Sequence, residues 1–130
     1  MATWDDVRRE VGDLPETAEE PGPAWRVRTK PLAWDRPLRA KDREALGSSA
    51  PEGPVLCARV PGLEAKDELI ARLPDVYFTT PHFHGYPAIL VRLDAIDVPE
   101  LRDLLTEAWL AQAPKRLAAE WLAQHPDGPA

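Results

Sequence analysis

Fifteen prolines in 130 residues limit the length of every element this chain can form. Proline has a fixed φ and no backbone N–H, so it ends helices and stays out of central strands. The pieces between prolines are read from the spacing of their apolar residues. Trp4, Val7 and Val11 lie at helical spacing, with Thr3 as N-cap, Asp6 facing the positive end and Gly12 as the stop. Residues 13–23, DLPETAEEPGP, read as an acidic connecting loop with at most a short extended piece.

Residues 24–36, AWRVRTKPLAWDR, carry the period-two pattern of a β-hairpin, with Thr29-Lys30-Pro31 as its turn. On this reading Trp25 and Val27 face the core, Arg26 and Arg28 face away, and Trp34 shares a face with Leu32 and pairs with Trp25 across the hairpin. Residues 40–46 suit one or two helical turns, and 55–60 a strand apolar on both faces. Residues 63–73 form a helix stopped by Pro74, with Leu69, Ile70 and Leu73 as its apolar face. Strands follow at 76–80 and 88–93 around the turn PHFHGYP. Asp97 caps the last long helix, with Glu100 at the capping-box position. Leu101, Leu104, Leu105, Ala108 and Trp109 form its stripe. Pro114 either kinks this helix or starts another, whose buried face is Leu117, Ala118, Trp121 and Leu122. The expected fold is α+β: one domain over residues 1–130, core about 3–122, an antiparallel sheet with helices packed on one face, and a tail at 123–130.

Composition narrows the function classes. There is one cysteine, Cys57, so no internal disulfide forms, which fits a reducing, cytoplasmic setting. No apolar run reaches the length of a signal peptide or a membrane span. The net charge of −6 disfavours non-specific binding to nucleic acid. Its distribution is uneven, however: residues 25–43 hold seven bases against two acids, a local net charge of +5.

No pattern of residues specifies catalysis, a metal or a cofactor. His82 and His84 have the spacing of two imidazoles on one side of an extended segment, but a third and fourth ligand are missing. Cys57 sits in an apolar strand, where cysteine is usually inert. GSSAPEGP lacks the order of a phosphate-binding loop, and no G-x-S-x-G elbow occurs. The strongest signal is the basic hairpin. Arg26, Arg28 and Lys30, flanked by Arg36, Arg39 and Lys41, could lie along nucleic-acid phosphates; the plainer reading is an edge strand protected by charge. Trp25, Trp34, His82, Phe83, His84 and Tyr86 are candidates for lining a groove or pocket, unless a helix covers that face.

Several stretches resemble the MmcQ/YjbR family of small bacterial proteins. They are Leu14-Pro15-Glu16-Thr17, the hairpin Trp25–Trp34, the run Val76 through Pro87, and the helical end Ala108-Trp109 through Leu117. The resemblance spans about residues 3–122. It implies a two-layer α-β-β-β-α-β-β-α fold, similar in architecture to secretion chaperones. It also implies a double-wing DNA-binding label that rests on fold analogy, and it brings no catalytic residues. Three functions follow as expectations: a non-enzymatic DNA-binding module that uses the hairpin as a wing, a chaperone-like adaptor for a protein or peptide, and a small-molecule-binding domain. The chain is expected to act as a monomer or homodimer.

Overall fold

The computed structural model describes residues 1–126. Helix α1 is Trp4–Gly12, and its N-terminus is closed by a reciprocal cap in which Thr3 and Asp6 bond each other's backbone N–H. Three strands follow, β1 (Thr17–Glu20), β2 (Ala24–Val27) and β3 (Lys30–Asp35), and then helix α2 (Ala40–Leu46). Strand β4 is Val55–Arg59, helix α3 Leu63–Arg72, strand β5 Tyr77–Phe78 and strand β6 Ala88–Arg92. Helices α4 (Val98–Gln112) and α5 (Lys115–Gln124) close the described chain. Pro114 therefore starts a separate helix. Helix α5 runs beyond the expected end of the core, and His125 stacks on Trp121 at 3.9 Å between ring centroids. The remainder of the expected tail, 127–130, lies outside the described residues.

The sheet has six strands in the order β1-β2-β3-β4-β6-β5, and every pairing is antiparallel. Edge strand β1 is the short extended piece allowed for within the connecting loop. Its four residues, TAEE, have only weak strand character, and pairing with β2 is what holds them extended. Strand β5 is shorter than expected because the chain leaves the ladder before Pro81, where a single 3-10 turn (Pro81–Phe83) begins.

The hairpin differs from the period-two reading in two respects. Val27 pairs with Lys30, so the turn is Arg28-Thr29 and Pro31 lies within β3. Arg28 adopts the left-handed conformation there, with φ at 52°. Leu32 is then an extra residue opposite the step from Trp25 to Arg26, a β-bulge. The bulge reverses the alternation, so Trp25 faces Ala33 while Trp34 points to the other side of the sheet. Trp25 is buried against Trp4, whereas Trp34 packs on a different cluster, so the expected pairing of these two tryptophans does not occur.

Two cores result. The larger holds Val7, Trp25, Leu32, Leu56, Tyr77, Ile89, Leu105 and Trp109, with residues of α3 and α5 packed against it. All five residues of the predicted α4 stripe are buried, and the Trp109 indole donates to the Pro15 carbonyl at 2.9 Å. The smaller core lies on the opposite face of the sheet, where Cys57, Phe78, Phe83 and Leu90 meet Trp34, Leu38 and Leu46. The main helical layer thus covers one face as expected. The other face is covered by α2 and the 3-10 turn.

Glu100 does not complete a capping box. Asp97 accepts the Glu100 N–H at 2.8 Å, but the Glu100 carboxylate accepts from the two terminal Arg72 guanidinium nitrogens (3.2 and 2.7 Å) and from the Tyr77 hydroxyl. The Arg72 hydrogen bonds are the main reason its pKa lies below the ordinary 4.5. A carboxylate lowered in this way stabilises the fold fully above the pKa it has in the unfolded chain, and loses that contribution as pH falls through its folded value. Glu100→Gln should therefore cost about 1–3 kcal/mol at neutral pH. In urea melts the gap to the unmodified protein should close as pH drops below the carboxylate range; a gap independent of pH would show that the charge is not what matters.

Candidate functional site

The seven bases of residues 25–43 do not converge into one positive ridge. Arg26 pairs with Glu20 at 2.9 Å, and Arg28 donates to both Glu16 oxygens at 2.7 and 3.2 Å. Both partners come from the acidic segment read as a loop, Glu20 from β1 and Glu16 just ahead of it, so β1 carries its own neutralising charge to the hairpin. Arg36 is buried, pairs with Asp42 at 3.2 Å and lies over the Phe83 ring at 5.2 Å. Among the described residues Lys30, Arg39 and Lys41 make no ion pair, but they stand on different elements: Lys30 at the hairpin and the other two at the start of α2. The expected six-residue phosphate track is thus split by local pairing.

A groove forms instead where the end of β3 meets the 3-10 turn. It encloses about 710 Å³ and is lined by Trp34, Asp35, Arg36, Arg39, His82, Phe83 and Tyr86, among others. Four of the six candidate pocket residues therefore share one site. Trp25 lies outside the groove because it faces the larger core, while the bulge turns Trp34 to the other side of the sheet. His84 is exposed but lies outside the lining, because the 3-10 turn removes the two-residue alternation that would have aligned it with His82. That turn also undoes the premise of a two-histidine metal site. Among the described residues no three His, Cys, Asp or Glu side chains gather as a metal site would need.

The groove is built on polar contacts that the sequence only partly reveals. Asp42 sits three residues after Arg39 and accepts its backbone N–H at 2.8 Å while pairing with Arg36. Burial pushes the Asp42 carboxyl up, but the Arg39 N–H and the Arg36 guanidinium outweigh it and hold its pKa below the ordinary value. Asp35 is half-buried, and burial raises its pKa. Arg59 donates to the Tyr86 hydroxyl at 3.2 Å and lies over its ring at 5.0 Å. Cys57, in the cluster shared with Phe83, is buried, and this pushes its thiol up to about 12, the reverse of an activated nucleophile.

Lys66 was missed as part of the site. It is buried, and its ammonium donates to the carbonyls of Phe83 at 2.6 Å and Tyr86 at 3.0 Å. These bonds tie α3 to the turn that carries the groove's aromatic rim. A signal was present: Lys66, Leu69, Ile70 and Leu73 follow helical spacing, so this lysine falls on the apolar stripe. Burial draws its pKa below the ordinary 10.5. Lys66→Met should remove the charged donor and leave the Phe83 and Tyr86 carbonyls only their backbone donors, the Tyr86 and Ala88 N–H groups, at a cost of about 1–3 kcal/mol in denaturant melts. Amide exchange at Tyr86 should quicken more than in β4; equal protection at both would show that the rim does not depend on this lysine.

Among the described residues no helix is long and apolar enough to cross a membrane. Comparison with known proteins places the chain by sequence and by fold. The YjbR family model matches residues 12–111. Uncharacterized proteins of Mycobacterium bovis and Mycobacterium tuberculosis are each 59% identical over 126 residues, covering 95% of this chain and 98% of theirs. The crystal structure of a Deinococcus radiodurans protein with a DUF419 domain superposes with a TM-score of 0.62 at 21% identity, over 85% of this chain and 78% of that one. That last likeness concerns the fold alone. The α+β fold with its single antiparallel sheet and the match across most of the chain agree: this protein belongs to the YjbR family.

Proposed function

We propose that the chain is a non-enzymatic binding domain whose ligand site is the groove between the end of β3 and the 81–86 segment. The observation that carries this reading is the convergence of Trp34, Phe83, Tyr86 and His82 with Arg36 and Arg39 around one open cavity of about 710 Å³. Small-molecule sites run to roughly 300–1,000 Å³ and combine apolar walls with a few placed polar groups. Here the walls rest on the smaller core, and the polar groups belong to rigid elements or are tied to them by Asp42 and Lys66. A binding role rather than catalysis goes with the buried, deactivated Cys57 and with a Tyr86 hydroxyl already engaged by Arg59. The single buried thiol also goes with a reducing, cytoplasmic setting.

DNA binding through the hairpin wing has less support, because Arg26 and Arg28 would have to release Glu20 and Glu16 to reach phosphates. The adaptor reading has less still. Edge strand β1 presents acidic residues, and the large exposed apolar side chains Leu63, Tyr86 and Leu122 are separated along the chain.

The groove is tested by two-dimensional NMR of the protein with a set of small aromatic and heterocyclic fragments. Shifts should concentrate at the Trp34 indole and at residues 82–86, with the other four tryptophans unmoved; shifts spread over the surface, or none, would overturn the reading. A duplex DNA titration at low salt supplies the contrast. Affinity should be weak and insensitive to replacing Arg26 and Arg28 with alanine. Tight binding that falls steeply with salt and is lost in that double variant would favour the wing.

A further inference from the structure

Given the groove reading above, we infer that its ligand is a flat heterocycle that carries both an N–H donor and an anionic group, the chemistry of a mononucleotide. The argument is an accounting of which groups around the cavity are already engaged. Arg36 is not available: it pairs with Asp42, donates to the Pro37 carbonyl and covers Phe83. Because Asp42 is taken up by Arg36 and by the Arg39 backbone N–H, the Arg39 guanidinium on the groove wall has no carboxylate partner among the described residues. Asp35 presents the complementary case. It lines the same groove and is half-buried, and its carboxylate accepts no hydrogen bond from the described residues. A half-buried acceptor without a partner calls for a donor, and a free guanidinium calls for an anion.

Between these groups the walls are aromatic. Trp34 is half-buried, Tyr86 is 40% exposed, and Phe83 closes the floor 6.2 Å from Tyr86 between ring centroids. A half-exposed tryptophan in a groove presents a π-face on which a flat ring stacks, and Tyr86 adds the face that Arg59 leaves uncovered. His82 stands edge-on to Phe83 at 4.9 Å and adds a ring nitrogen at the rim. A bare anion would leave the aromatic walls and Asp35 unused, and a hydrocarbon ring would leave Arg39 and Asp35 unused. A ring bearing both a donor and an anion uses all of them.

The probes are adenosine monophosphate, adenosine and inorganic phosphate, titrated against the full chain with tryptophan fluorescence as readout and Trp34→Phe to assign the signal. The monophosphate should quench saturably, bind at least about tenfold more tightly than adenosine, and bind far better than phosphate. Arg39→Ala changes an exposed side chain. It should remove that tenfold advantage and leave adenosine unchanged. Asp35→Ala should weaken both ring compounds, and Lys41→Ala, outside the groove lining, should weaken neither. Equal binding of monophosphate and adenosine, or indifference to Arg39→Ala, overturns the inference. If neither ring compound binds while the fragment set still shifts the Trp34 indole, the ligand class falls and the groove stands; if the fragments fail as well, both fall.

Discussion

Along β4 and β6 the residues Val55–Ala58 and Ala88–Val91 are buried whichever way they point. Strands without a polar face must be covered on both sides, and the rest of the structure follows from that demand. The amphipathic helices satisfy it on one face, where the α4 stripe joins Leu56, Ala58, Ile89 and Val91 in one core. On the other face there is little helix. Cys57 and Leu90 are covered by Phe83, Phe78, Trp34, Leu38 and Leu46, which come from loops, a short helix and the end of a neighbouring strand. Covering a flat surface with such pieces leaves a gap where they fail to meet, and that gap is the groove.

Holding the improvised cover in place takes charge. Arg36 and Asp42 are both buried, which is costly for an isolated ion and tolerable only when each is paired and further hydrogen-bonded. Arg36 meets that condition through Asp42, the Pro37 carbonyl and the Phe83 ring. Lys66 meets it through two carbonyls of the 83–86 segment, without any carboxylate. Three of the seven bases between residues 25 and 43 are therefore structural: Arg26 and Arg28 fasten β1 to the hairpin, and Arg36 fastens α2 to the sheet.

Membership of the YjbR family accounts for the order of elements but not for the use of the surface, since unrelated activities are grafted onto shared folds. The wing interpretation treats the hairpin as a free positive ribbon. In this chain the acidic segment before the hairpin folds back as β1 and pairs with it, and the same glutamates that make the protein acidic occupy the hairpin's arginines. On the face opposite the main helices, Arg39 and Asp35, whose side chains have no partner among the described residues, share one aromatic groove.

What the sequence determined by itself was local. Thr3 and Asp6 close α1, Asp97 caps α4, and the stripe from Leu101 to Trp109 is buried, because capping and helical periodicity act over a few residues and are written in adjacent positions. Only tertiary structure decided which face each hairpin residue occupies. One bulge at Leu32 reversed the alternation and moved Trp34 away from Trp25, and a register shift of a single residue leaves no mark in composition. It also decided which charges stay free. Glu16 and Glu20 reach Arg28 and Arg26 by strand pairing, and Asp42 reaches Arg36 because α2 folds back on the sheet. Coulomb attraction and desolvation depend on distance in space, and the chain fixes those distances only when it closes on itself.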